Sequence, residues 1–350
     1  MHFNIEVDDG NQIVGYIVPD AASKIASLRI TDGERDLIVM PCNQDRPILV
    51  TAGRHETGRC GFVINQSIIP DLPGQNSLEI YDQETNLLIY RRRAPSEVVQ
   101  KKVLRVETHL FPLWGLDDAL EPHFQYFHKG IERHGRETTI QFFELHNSES
   151  LYLSGRLLFK QFESYVSGVF NCIAMIHEPY TELAERLLTL KHVRKFSKTM
   201  LGERDTMILT PAIEFAEALE LDESKLHRAF SSMPKDVIAN LANPLTRQFS
   251  AIGFDEMVTR RSVPAALRTL ASCAVIGLRE KQEFFLQQVS ELLGTPVGSL
   301  SPAPTFAKTA ELAVILGKIP EAAVLIERDL EVYDHVRSAV ESALSDHQVQ

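Results

Sequence analysis

Long apolar runs are missing from this chain. The longest uninterrupted stretches, such as Cys172–Ile176, are strand-sized and far short of the ~20 residues a helix needs to cross a bilayer. A basic balance is missing as well. The formal net charge is −11, which excludes the diffuse positive field of a general nucleic-acid or anionic-membrane binder, although a local basic pocket is compatible with it. Cysteine is scarce: Cys42, Cys60, Cys172 and Cys273 form no C-x-x-C pair, so neither a zinc ribbon nor a disulfide framework is expected, only reduced and mostly buried thiols. The opening Met1-His2-Phe3-Asn4-Ile5-Glu6 lacks a basic and an apolar leader segment, so a cytoplasmic location is expected, with any membrane association peripheral.

What is present is ordinary globular composition, 44% hydrophobic and 24% charged, far from the signature of disorder. A length of 350 residues exceeds what one hydrophobic core usually serves, and two domains are expected. Residues 3–90 carry seven short alternating or apolar runs: Asn4–Val7, Gln12–Val18, Ser27–Ile30, Leu37–Met40, Cys60–Ile64, Ser77–Tyr81 and Leu87–Tyr90. Turn residues separate them, the pattern of a β-sandwich. Asp32-Gly33 is the best hairpin candidate, because glycine reaches positive φ at no steric cost. Arg91-Arg92-Arg93 reads as a solvated charge run, or alternatively a phosphate clamp. The expected boundaries are a β-sandwich over 1–93, a linker over 94–102 and an α/β domain over 103–350.

Beyond residue 100 strand-like and helical runs alternate, an α/β signature. Val103–Leu110, Thr138–Leu145 and Phe170–Ile176 read as strands, the last as one buried on both faces. Helices are expected over Leu151–Glu163, Tyr180–Lys195, Pro211–Ala218, Glu223–Phe230, Pro234–Ala242, Val263–Leu270, Lys281–Leu293 and Pro320–Leu344, with Asp222 as a start signal and Gly294 as a stop.

Four segments of this second part, in order, carry a resemblance: Phe142–Leu153; Cys172–Leu183, with its Ile176-His177-Glu178-Pro179-Tyr180 core; Asn243–Gln248; and Ala265–Leu270 with Ala274–Lys281, which holds Gly277-Leu278-Arg279-Glu280; Asp329–Tyr333 closes the series. Together they resemble the carbohydrate sulfotransferases and their bacterial relatives, a P-loop-like α/β family. The resemblance implies a sulfuryl donor, adenosine 3′-phosphate 5′-phosphosulfate, and a role in bacterial cell-surface polysaccharide or lipopolysaccharide production alongside glycan-biosynthesis proteins. It places the donor around Asn147, Ser148, Ser150, His177 and Arg247. Asn147 stands where the family has its lysine, His177 where it has an arginine and Glu185 where it has a serine, so the implied donor site is degenerate. Three functions stay open: an inactive sulfotransferase-like protein, an active glycan-modifying transferase with an altered donor site, and a scaffold. Arg156, Arg186, Lys191 and Arg247 are the cations that would restore charge to the crevice, and the alternative for each is a surface ion pair, as the i, i+4 spacing of Glu182 and Arg186 suggests.

His128 and His134 are the candidates for an acceptor-side base, the alternative being histidines at the rim of an aromatic cluster with Phe124, Tyr126 and Phe127. No His, Asp or Glu spacing repeats on one helix face, so no metal site is expected.

Overall fold

A computed structural model describes every residue except 22, 146–147, 196–200, 299–304 and 350, with side chains described to residue 346. The chain separates into two compact units. The first comprises Met1–Lys102, Glu121–His128 and His134–Leu153; the second comprises Val103–Leu120, Lys129–Arg133 and Ser154–Gln350.

The strands are β1 (His2–Asp8), β2 (Gln12–Val18), β3 (Ser27–Thr31), β4 (Asp36–Pro41), β5 (Gln44–Asp45), β6 (Arg59–Asn65), β7 (Glu79–Asp82), β8 (Leu88–Arg91), β9 (Lys102–Val106), β10 (Tyr126–Lys129), β11 (Leu151–Gly155), β12 (Asn171–Ile176) and β13 (Val275–Leu278). The first eight build two antiparallel four-stranded sheets, in the orders β1-β2-β6-β5 and β4-β3-β7-β8. Alternation buries Phe3, Ile5, Ile13 and Ile17 from one sheet, and Leu28, Ile30 and Ile80 from the other. The expected Asp32-Gly33 hairpin joins β3 to β4. Gly33 takes φ +93°, and the Asp32 carboxylate accepts from the N–H groups of Glu34 and Arg35. In β2, a Cβ at Gly15 would lie 2.5 Å from the Asn4 carbonyl oxygen and 2.7 Å from the Phe62 ring, so only glycine fits there.

The arginine run is not solvated. Arg91 is buried and pairs with Glu79 at 2.6 Å and Glu121 at 2.9 Å, while Arg92 grips Asp8 at 2.6 Å and donates to the carbonyls of Leu72 and Gln75. These cations tie strands and loops together, because a buried guanidinium needs several acceptors.

The remaining strands form one sheet in the order β10-β11-β9-β12-β13, in which β12 pairs parallel with both β9 and β13. The β12 run Cys172–Ile176 is buried throughout, as its continuous apolar sequence requires. Helices follow the strands. One apolar cluster joins Leu183, Leu187 and Leu190 of the helix Pro179–His192 to Ala212, Ile213 and Ala216 of the helix Glu203–Ala218, and to Leu312 and Leu316.

Two expectations are reversed. Thr138–Leu145 is not a strand but the helix Arg136–Phe143, whose Thr138/Phe142 and Thr139/Phe143 pairs lie four apart on a buried face. Residues 151–163 do not make one helix: Leu151-Tyr152-Leu153 belongs to β11, and a helix begins only at Phe159. Phe142 and Phe143 thus end a helix and Leu151–Leu153 open a strand, the reverse of a strand leading into a helix. The final helix is also interrupted, running Pro320–Leu325 and then Glu327–Val349, with Ile326 out of helical geometry between them. Asp222 caps its helix as expected, and Gly294 ends one at φ +71°. Among the described residues no helix is long and apolar enough to cross a membrane.

Candidate functional site

In an open α/β sheet, ligands bind beyond the carboxyl ends of the strands. Here those ends carry polar side chains almost entirely withdrawn from water. Arg105 on β9 is 2% exposed and makes a bidentate pair with Asp117 (2.8 and 2.6 Å) and a third bond to Glu107 at 2.9 Å. The loop after β9 then folds around the Glu107 carboxylate, which accepts from the backbone N–H of His109 (3.1 Å) and Leu113 (2.7 Å) and contacts His109 Nδ1 at 3.0 Å. Burial opposes its ionisation, but Arg105 and His109 outweigh burial and hold the carboxyl well below its usual range. A strand–loop–helix turn of this kind offers N–H groups to an anion, and here the chain's own carboxylate takes them.

β12 ends at His177. Glu178 caps the following helix, accepting from Tyr180 and Thr181 N–H groups. Burial first, and then the charges of His109 and Arg279, push the His177 imidazole down to about 2, so it is neutral near pH 7. Arg279, at the end of β13, forms a two-pronged pair with Glu185, which is 1% exposed. The carboxylate that would repel a donor is thus neutralised by an arginine of the Gly-Leu-x-Glu segment. Asn243 adopts φ +47° and accepts from the N–H groups of Arg328 and Asp329, while Asp329 accepts from Leu245 N, Thr246 N and Thr246 Oγ1. The Asn-x-x-Thr elements of that motif are consumed in fixing two helix starts.

The cations gather elsewhere in the same unit. Arg156, immediately after β11, Arg186 and Arg247 line one cavity of about 110 Å³, together with Leu110, Asp205 and Gln248. Arg156 pairs with Asp205, Arg186 with Glu182 at 3.1 Å, and Arg247 donates to the Ala239 carbonyl at 2.6 Å. Glu182 and Arg186 are a buried pair rather than the exposed one their spacing suggested, with side chains 13% and 7% accessible. Each arginine retains one buried nitrogen without a hydrogen-bond partner: Arg156 Nη1, Arg186 Nε and Arg247 Nε. Burial, followed by repulsion from Arg156, lowers the Arg186 pKa against the pull of Glu182; Arg247 is lowered by burial and by Arg186. Lys191, the fourth expected cation, instead donates to the carbonyls of Ala216, Glu217 and Leu219 at the end of a helix.

The other sequence candidates have different places. Asn147 lies outside the described residues. Ser148 and Ser150 belong to the first unit, and their hydroxyls are spent locally: Ser148 Oγ lies 3.1 Å from both Gln125 Oε1 and the Ser150 carbonyl, and Ser150 Oγ accepts from Gln125 N. His177 and Arg247 belong to the second unit. His128 stacks on Phe142 at 4.3 Å, and burial, with the nearby charges of His134 and Arg91, lowers it to about 3. So low a value leaves the imidazole neutral and a weak base near pH 7. His134 meets the edge of the same ring at 5.2 Å. Both sit in an aromatic cluster, the second of the two readings open for them.

The sequence reading missed Glu107, His109, Asp205 and Arg279. A signal existed: Arg105-Val106-Glu107-Thr108-His109 places three ionisable side chains at alternate positions across the end of β9, where solvent exposure would ordinarily be expected. Comparison of the chain with protein-family models and with curated proteins finds no match.

Proposed function

We propose that this chain is a sulfotransferase-like protein of cell-surface polysaccharide or lipopolysaccharide production whose donor site is altered, so that it holds one oxyanion group between Arg156, Arg186 and Arg247. One observation carries the reading: three arginines with unsatisfied buried nitrogens surround a single cavity. A buried donor without an acceptor is costly, and a sulfate, phosphate or carboxylate would supply acceptors to all three while relieving their mutual repulsion. The cavity, about 110 Å³, is small beside the 300–1,000 Å³ typical of sites for drug-sized ligands, so it suits an anionic group and not a whole nucleotide. The implied sulfuryl donor would be engaged through its sulfate alone. On this reading the two N-terminal sheets form an accessory β-sandwich that brings the α/β unit to glycan-biosynthesis partners.

Calorimetric titration of the full chain with inorganic sulfate, adenosine 3′,5′-bisphosphate and the sulfated donor tests this. Saturable sulfate binding that is lost in Arg247→Ala, with no gain for the bisphosphate, is expected. Tight bisphosphate binding that Arg247→Ala leaves intact would show the family's phosphate loops at work and overturn the proposal.

A further inference from the structure

A second group of side chains, from three separate segments, converges next to the helix Pro179–His192. Ligand-type atoms of His109, His177 and Glu182 all lie within 4.8 Å of one another. Around a tetrahedral ion with bonds of ~2.1 Å, such atoms stand roughly 3.4 Å apart, so a bound ion would draw these side chains inward by about an ångström.

We propose that His109, His177 and Glu182 bind one divalent transition-metal ion of the zinc type, with a fourth coordination position left to solvent or ligand.

Beyond proximity, the proposal stands on how each side chain is prepared. Histidine ligands commonly give their second ring N–H to a carboxylate, which fixes the tautomer and frees the other nitrogen. His109 is arranged in that way: Nδ1 lies 3.0 Å from Glu107 Oε1, the residue is fully buried, and Nε2 has no hydrogen-bond partner. Glu182 uses Oε1 for Arg186, and Oε2 is buried without a partner. The His177 ring centroid lies 5.8 Å from that of His109, so the two imidazoles face one small volume. Two guanidinium groups adjoin these side chains: Arg186, 3.1 Å from Glu182 Oε1, and Arg279, 3.4 Å from His177 Nδ1, whose charge is met by both oxygens of Glu185.

Two histidines with one carboxylate and an open position is a ligand set of catalytic zinc sites. Beside it lies a cavity of about 20 Å³, lined by Thr108, His177, Glu182 and Asp329, with room for about one water molecule. Helix periodicity does not reveal such a site, because the ligands come from the loop after β9, the residue that follows β12 and the first turn of a helix. The inference is independent of the arginine cavity: His177 does not line that cavity, and metal binding is read without any anion.

The test is a zinc titration of the chelator-treated, tag-free full chain by calorimetry, with bound metal counted by mass spectrometry and cobalt substituted as a spectroscopic probe. One ion per chain is expected, with cobalt giving the intense visible bands of a four-coordinate site. His177→Gln should abolish the bands and weaken zinc at least ~10-fold, and Glu182→Gln, which keeps an oxygen for Arg186, should weaken it by roughly 10–100-fold. Circular dichroism checks that each variant folds. Wild-type chain that takes up no zinc, or that binds it equally in both folded variants, would overturn the proposal.

Discussion

Glu107→Gln isolates the anchor of the loop after β9. In the native chain its carboxylate receives two backbone N–H groups, His109 Nδ1 and Arg105. A neutral amide presents an NH₂ to one of those donors and removes the negative charge facing Arg105, whose two bonds to Asp117 survive. Removing one member of a buried ion pair costs roughly 3–5 kcal/mol, and the two surviving Arg105–Asp117 bonds put the expected loss near ~3 kcal/mol. At about 2–4 °C per kcal/mol, that lowers the melting temperature by about 6–12 °C. The pH dependence carries a sign. The folded pKa of Glu107 is depressed below its unfolded value, so its stabilisation is present above the ordinary carboxylate range, near pH ~4–5, and is lost as pH falls through the folded pKa. Thermal melts of wild type and Glu107→Gln from pH 7 to pH 3 should therefore converge on the acid side. An exposed control, Glu84→Gln, breaks the surface pair with Lys24 and should cost at most about 0.5 kcal/mol. A Glu107→Gln melt within about 2 °C of wild type at pH 7 would refute the claim that this carboxylate organises the loop.

Three other outcomes follow from the same geometry. The His128 ring, held down to about 3 by burial, should show no protonation between pH 8 and 5 by NMR; since its folded pKa is lowered, it erodes stability as pH falls below ~6.5, and His128→Leu should flatten that slope. Cys172 and Cys273 are 101 positions apart, yet their sulfurs lie 2.7 Å apart, so diamide should join them in one intrachain disulfide, read as a loss of two hydrogens by mass spectrometry and prevented by Cys273→Ser. Asn243→Ala should destabilise by about 1–2 kcal/mol and Asn243→Gly by less, because glycine keeps the left-handed backbone at φ +47° and loses only the side-chain cap; denaturation midpoints decide.

Much of the scaffold was readable without coordinates. Period-two alternation marked β2 and β3, Asp32-Gly33 marked their neighbour's turn, and the unbroken apolar run marked β12, because each signal is local and unopposed. Residues 136–155 misled for the converse reason. Thr138, Ile140, Phe142 and Phe143 have strand propensity, while packing selects a helix, a context effect that propensity does not carry. Arg91 and Arg92 looked like solvent-facing charge because their acceptors, Asp8, Glu79 and Glu121, are remote in sequence. The candidate site was half readable. Arg156, Arg186, Lys191 and Arg247 stand out in the sequence as cations that could line one crevice or form surface ion pairs, but only the tertiary arrangement puts three of them around one cavity and Lys191 elsewhere, and only it shows Glu107 filling the turn after β9.

The central claim is that an oxyanion sits between three arginines. Crystals of the chain soaked with selenate, an anomalous scatterer of sulfate shape, test it most directly. The account predicts an anomalous peak within hydrogen-bonding distance of Arg156, Arg186 and Arg247, absent in Arg247→Ala crystals. Selenate bound instead at the loop after β9, or nowhere near these guanidinium groups, would contradict it.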